Sequence, residues 1–256
     1  MAENTGIEWA TDTFNPWIGC TKVSPACDNC YAEAWNIRYE KGAHWGPKAP
    51  RRRTSEKNWN LPRRWNKQAE KNGVPRRVFC ASLADVFDNQ VPPEWRENLW
   101  KLIKETPNLD WLLLTKRAPN IRRMLPSDWC GGYQNVWLGT TVENQNEWDK
   151  RGKHLTDIPA AVRFLSCEPL LGEIDFGDDI RKLDWIITGG ESGTFYRQAN
   201  PDWFRTIRDQ CVAAGVAFLF KQWEGVSQHE IKKLGRLLDG KLWNEYPKPK
   251  ITEGGE

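Results

Sequence analysis

The chain has 256 residues, 39% of them hydrophobic and 28% charged, with seven Cys, 16 Trp, two Met and a formal net charge of +3. That hydrophobic share excludes a disordered chain, and no stretch reaches the roughly 18 apolar residues that a membrane helix needs. With no basic, apolar leader over residues 1–5 the expected compartment is the cytoplasm, where an odd set of cysteines points to metal binding or catalysis more than to disulfides.

In chain order, a first strand is expected around Ile7 to Trp9. The loop after it reads Gly19-Cys20-Thr-Lys-Val-Ser-Pro-Ala-Cys27-Asp-Asn-Cys30-Tyr31. Three thiolates this close in sequence can cap one metal ion, or three irons of a cubane cluster, leaving the fourth iron open to a substrate or cofactor. A zinc site would need a fourth ligand, for which His44, Cys80 or Glu33 could be recruited. Trp9, Trp17 and Trp35 flank the loop and could shield a cluster from solvent. Cys80, Cys130, Cys167 and Cys211 stand apart and are expected to be packing residues.

Residues 48–77 follow as a basic, helix-rich insertion. They hold eleven Lys or Arg against Glu56 and Glu70, a local net of +9 that leaves the rest of the chain at −6. Cations neutralise phosphates and aromatic faces such as Trp59 and Trp65 stack on bases, so this stretch is the expected nucleic-acid contact; a solvated charged face is the alternative.

From there short apolar runs recur: Val78-Phe79-Cys80-Ala81, Trp111-Leu112-Leu113-Leu114, Val136-Trp137-Leu138-Gly139, Arg163-Phe164-Leu165-Ser166, Trp185-Ile186-Ile187-Thr188 and Val216-Ala217-Phe218-Leu219-Phe220. Unbroken by polar alternation, they suit parallel strands buried on both faces. Their starts lie 22 to 33 residues apart, the spacing of βα units, with helices expected over 93–105 and 201–214, each opened by a proline. The chain is therefore expected to be a single α/β domain, 1–256: a partial, open TIM-like βα barrel of six to seven parallel strands carrying the basic insertion 48–77. A doubly wound sheet is the alternative. Polar groups follow each run: Ser82 and Asp85, Thr115 and Lys116, Thr140, Thr141 and Glu143, Cys167 and Glu168, Gly189 to Ser192, Lys221, Gln222 and Glu224. In α/β folds that face carries the chemistry.

Ile7 to Glu33, Thr115-Lys116, Cys167-Glu168-Pro169-Leu170, Gly189-Gly190-Glu191-Ser192 and Lys221-Gln222-Trp223-Glu224 together resemble a phage- and prophage-associated three-cysteine family. In mechanism the chain resembles radical S-adenosylmethionine (SAM) enzymes, nearest to the lyase branch that mends thymine photoproducts. That resemblance implies a [4Fe–4S] cluster on Cys20, Cys27 and Cys30, with Tyr31 matching the aromatic after the last Cys. It implies SAM held by Ser82, Lys116, Thr140 and Thr141. Lys116, Glu168, Glu191 and Lys221 are then the expected catalytic groups of the cleft.

His44, His154 and His229 lie far apart, and no phosphate-binding glycine loop, G-x-S-x-G elbow or G-x-G-x-x-G pattern occurs, so nucleotide hydrolysis, acyl transfer and dinucleotide redox chemistry have no support. The expected function is an iron–sulfur, radical SAM-like enzyme acting on a nucleic acid or nucleotide. The alternative is a non-enzymatic protein that binds zinc and nucleic acid.

Overall fold

The computed structural model describes residues 2–247. Its strands are β1 (Ala2–Glu3), β2 (Asp12–Thr13), β3 (Trp17–Ile18), β4 (Arg52–Arg53), β5 (Arg76–Cys80), β6 (Leu109–Thr115), β7 (Val136–Thr141), β8 (Val162–Cys167), β9 (Trp185–Gly189), β10 (Ala217–Gln222), β11 (Leu237–Leu238) and β12 (Lys241–Leu242). The helices are α1 (Tyr31–Glu40), α2 (Glu56–Trp59), α3 (Leu61–Asn72), α4 (Pro93–Lys104), α5 (Ile121–Met124), α6 (Gln145–Thr156), α7 (Pro201–Ala214) and α8 (Gln228–Leu234). One eight-stranded sheet runs in the order β1-β2-β5-β6-β7-β8-β9-β10. β1 is antiparallel to β2, and the other seven strands are parallel. The fold is thus the α/β open, partial TIM-like barrel that the spacing of the apolar runs predicts.

Each of the six runs is a strand, β5 to β10, because its residues are apolar on both faces and both are covered: β7 is buried at all six positions and β9 at all five. The first parallel strand is not at Ile7 to Trp9. Those residues enter a turn closed by Ala10 N donating to Ile7 O at 3.1 Å, and Trp9 packs edge-on against Phe79 with ring centroids 4.7 Å apart. β2 lies just beyond, where the buried Asp12 receives Arg76 at 2.6 and 2.7 Å. An acid in so short a strand hides it from a search for apolar runs.

By packing, the described residues form two compact units: 2–23 with Cys30–Leu138 and Pro159–Ala161, and Ser24–Asn29 with Gly139–Ile158 and 162–247. In the first unit Phe14 meets Trp59 and Trp111 edge-on, each at 5.7 Å. Trp17, fully buried, lies 6.4 Å from Trp95, and Trp9 and Trp17 are both core residues. The insertion 48–77 supplies α2 and α3 as expected, yet its ends belong to the strands β4 and β5.

In the second unit Phe164 packs on Trp185 at 5.9 Å, and Phe204 of α7 packs on Phe220 at 5.3 Å. Gly139 must lack a side chain because a Cβ there would lie 2.5 Å from the Phe164 ring. α7 begins at the Asn200-Pro201 cap and ends at Gly215 in the left-handed region, φ +71°. The outer edge of β10 is paired by residues 243–245: Phe220 N donates to Trp243 O and Glu245 N to Phe218 O, both at 3.1 Å.

Candidate functional site

In the first unit the polar groups past the strand ends form one connected network around Cys20. Arg117, just after β6, places Nη1 3.3 Å from Cys20 Sγ and 2.9 Å from Asp85 Oδ2, while Nη2 donates to Thr21 O at 2.8 Å. Asp85 also accepts from Thr115 Oγ1 at 2.7 Å, from Lys116 N at 3.1 Å and from Phe87 N at 2.9 Å. One buried carboxylate therefore fixes the end of β6 and aims a guanidinium at the cysteine sulfur. Burial pushes the Cys20 thiol up to about 11 against the pull of Arg117, with Asp85 adding to the rise.

Beside this network Tyr31 OH donates to Ser82 O at 2.9 Å, and Ser82 Oγ accepts from Asn15 Nδ2 at 3.0 Å. Lys116 is half-buried, its backbone held by Asp85. Cys30 is the residue before α1, where the partial positive charge of a helix start favours an anion.

In the second unit the segment from Ser24 to Asn29, which holds Cys27, is fastened from two sides. Ala26 N donates to Glu143 Oε1 at 2.9 Å, and Glu143 Oε2 receives Arg151 Nη1 at 3.0 Å. Arg197 donates to Pro25 O at 3.0 Å and pairs with Asp28 at 3.2 Å. Its main partner is Glu191, whose oxygens accept its N, Nε and Nη2, and Asn29 Nδ2 adds a bond to Glu191 at 3.1 Å. Burial works to raise the Glu191 pKa, but the bonds from Arg197 and Asn29 outweigh it and hold the carboxyl below its usual range. Glu191 is thereby the hub of a clamp on the cysteine segment, where the sequence suggests a free acid of the cleft. Cys27 itself is buried, its Sγ 4.0 Å from Ser24 Oγ.

The remaining expected groups of this unit lie at the ends of β7, β8 and β10. Thr140 and Thr141 are buried, and Thr141 Oγ1 has no hydrogen-bond partner among the described residues. Lys221 Nζ sits 2.9 Å from Glu168 Oε2, while Glu168 Oε1 and Glu224 Oε2 are buried without a partner among the described residues. Glu224 approaches so closely that a Cβ on Gly190 would fall 2.2 Å from its backbone nitrogen, which requires glycine there.

The structure therefore joins Lys116, through Asp85 and Arg117, to Cys20, and joins Glu168 to Lys221. Among the described residues no three His, Cys, Asp or Glu side chains stand together as a metal-ligand group. Cys80, Cys167 and Cys211 are buried packing residues with thiols raised by burial, whereas Cys130 is exposed, outside the packing role expected of it. Sequence reasoning missed Arg117 and Arg197. Arg117 directly follows Lys116, so reading one residue further past β6 finds it; Arg197 has no local signal, lying in an irregular loop.

Six arginines of the basic stretch are paired with acids, Arg51 with Asp88, Arg52 with Glu40, Arg53 with Glu56, Arg63 with Glu105, Arg64 with Glu3 and Arg76 with Asp12, and the seventh, Arg77, acts on Asp110. Lys48, Lys57, Lys67 and Lys71 are the exposed cations that remain of it. No helix among the described residues is long and apolar enough to cross a membrane. No curated protein and no solved structure matches the chain. The profile of a family described as a protein of unknown function (DUF5131) matches residues 4–247, and the chain belongs to that family.

Proposed function

We propose that this protein is an iron–sulfur enzyme of radical SAM type that acts on a nucleic acid or nucleotide. The observation that carries the reading is the thiol set Cys20, Cys27 and Cys30 within eleven residues of chain, with the Arg117 guanidinium 3.3 Å from the Cys20 sulfur. The donor chemistry fits a thiolate-held cluster: all three donors are soft sulfurs, and the Arg117 guanidinium beside one of them offsets the negative charge that thiolate ligands bring. The three sulfurs are not a preformed ligand group, so metal binding itself would gather them, as ligands often do when binding and ordering are coupled.

When bound, the cluster supplies the single electron that cleaves the SAM sulfonium. The chain's own residues do the rest. Asp85 holds Lys116 in place at the end of β6, so that its ammonium can meet the SAM carboxylate. The hydroxyls of Ser82, Thr140 and Thr141 offer donors to the cofactor, and that of Thr141 has no competing partner among the described residues. Glu191 and Arg197 hold the Cys27 segment, and Glu168 with Lys221 faces the substrate. The exposed lysines of residues 48–77 provide phosphate contacts.

Anaerobic purification followed by iron, sulfide and zinc analysis tests the reading. The expected result is a brown protein with about four irons per chain that cleaves SAM under reduction, the iron being lost in Cys20→Ala, Cys27→Ala and Cys30→Ala. A colourless protein with one zinc and no iron would replace it with the zinc- and nucleic-acid-binding alternative.

A further inference from the structure

We propose that the Glu168–Lys221 pair is a recognition site for the hydrogen-bonding edge of a nucleobase. The inference deepens the reading above and rests on it only for the substrate being a nucleic acid or nucleotide. Lys221 Nζ lies 2.9 Å from Glu168 Oε2, with side-chain exposures of 23% and 13%, so the pair is sheltered yet reachable. Glu168 Oε1, the buried oxygen of the pair, has no hydrogen-bond partner among the described residues. A buried polar atom left unpaired loses its hydration without compensation, and more so when charged, so an orphan oxygen at a strand end calls for a donor.

Packing shows which face it occupies. Gly139 lies under the Phe164 ring, Phe164 meets Trp185 at 5.9 Å, and a Cβ on Gly189 would fall 3.4 Å from Glu168 Cγ and 3.5 Å from Gln222 Cγ. Alternate residues of a strand share a side, which puts Thr141 with Gly139 and Gly189 with Trp185. Thr141 and Glu168 thus stand at the C-terminal end of one sheet face. Thr141 is 1% exposed and its hydroxyl also lacks a partner. Two separate orphan groups at one end of one face are groups that a ligand can complete.

Charge and geometry set its class. The pair is already neutral, so a charged ligand would bring an uncompensated charge into a sheltered site, whereas a neutral one would not. Glu168 Oε1 accepts, and the Lys221 ammonium keeps N–H donors beyond the one directed at Glu168. The complementary group carries a donor beside an acceptor. A flat, rigid nucleobase edge meets that pair with less ordering than a sugar hydroxyl, whose proton rotates.

Calorimetric titration of the purified protein with uridine, cytidine, adenosine and guanosine tests this, with methyl riboside as the sugar probe. At least one nucleoside should bind, methyl riboside should not, and the double variant Glu168→Met/Lys221→Met should bind that nucleoside at least tenfold more weakly. Replacing the whole pair by apolar side chains leaves no stranded charge, and an unchanged unfolding midpoint would show that the fold is intact. No binding by any nucleoside, equal binding by methyl riboside, or an unaltered affinity in the double variant would overturn the proposal. Iron content, measured separately, distinguishes failure of this site from failure of the iron–sulfur reading.

Discussion

Between Lys48 and Arg77 the arginines end on carboxylates: Arg51 on the buried Asp88 at 2.7 Å, Arg76 on the buried Asp12 at 2.6 Å. At the ends of β8 and β10 in the second unit the carboxylates keep an oxygen back: Glu168 is half satisfied by Lys221, and Glu224 Oε2 has no partner among the described residues. The first region is conspicuous by its net charge, but its arginines are largely paired within the fold. The second is inconspicuous by charge and holds the unsatisfied groups that a ligand can complete. Net charge counts ions, whereas the availability of a charge depends on what already touches it.

The contrast between paired and unpaired charge is greatest at Arg51. It is fully buried and also donates to Thr21 Oγ1 and to the carbonyls of His44, Gly46 and Ala49. Arg51→Met should cost about 3–5 kcal/mol in urea unfolding by stranding Asp88, and adding Asp88→Leu should recover much of the loss. A loss under about 1 kcal/mol would mean that the pair is not structural.

Arg77 sharpens it from the other side. It stands across from Asp110 in the β5–β6 register and pulls that carboxyl down, but burial wins and pushes Asp110 up to about 6. The ionised form is therefore penalised in the fold. Its contribution to stability is fully present below about pH 4 and is lost as pH rises through 6. Asp110→Asn should stabilise by about 1–3 kcal/mol at pH 8 and by almost nothing at pH 4, read from unfolding midpoints at both. Equal effects at the two pH values would assign the change to packing.

The smallest effect on stability is expected at the lysines. Replacing Lys48, Lys57, Lys67 and Lys71 by Ser should leave unfolding within about 0.5 kcal/mol of the parent. Nucleic-acid binding should weaken, with a salt dependence shallower by roughly 0.9 for each phosphate that is no longer neutralised. An unchanged salt slope would return the whole stretch to a solvated, structural face.

Much of this fold is legible in the sequence because burial on both faces leaves its mark as uninterrupted apolar runs, and because prolines sit at the starts of α4 and α7. β2 is not legible, since two residues with a paired aspartate carry no periodicity. The site is legible in part: the strand-end positions of Ser82, Lys116, Thr141, Glu168 and Lys221 follow from topology. Their partners do not, because Arg117 and Cys20 are 97 residues apart and meet only in the folded chain. The pairing of the basic stretch is hidden for the same reason. Arg63 finds Glu105 and Arg64 finds Glu3 across 42 and 61 positions, and no local sum of charge anticipates it.

The short segment that lies along β10 has a consequence for the molecule's life in a crowded solution. An open row of backbone donors and acceptors is a template on which a second chain can add a strand, and residues 243–245 answer that row from within. Cutting the chain after Leu242 would leave the sites described above chemically unaltered, yet it would bare an edge on which further copies of the chain could assemble.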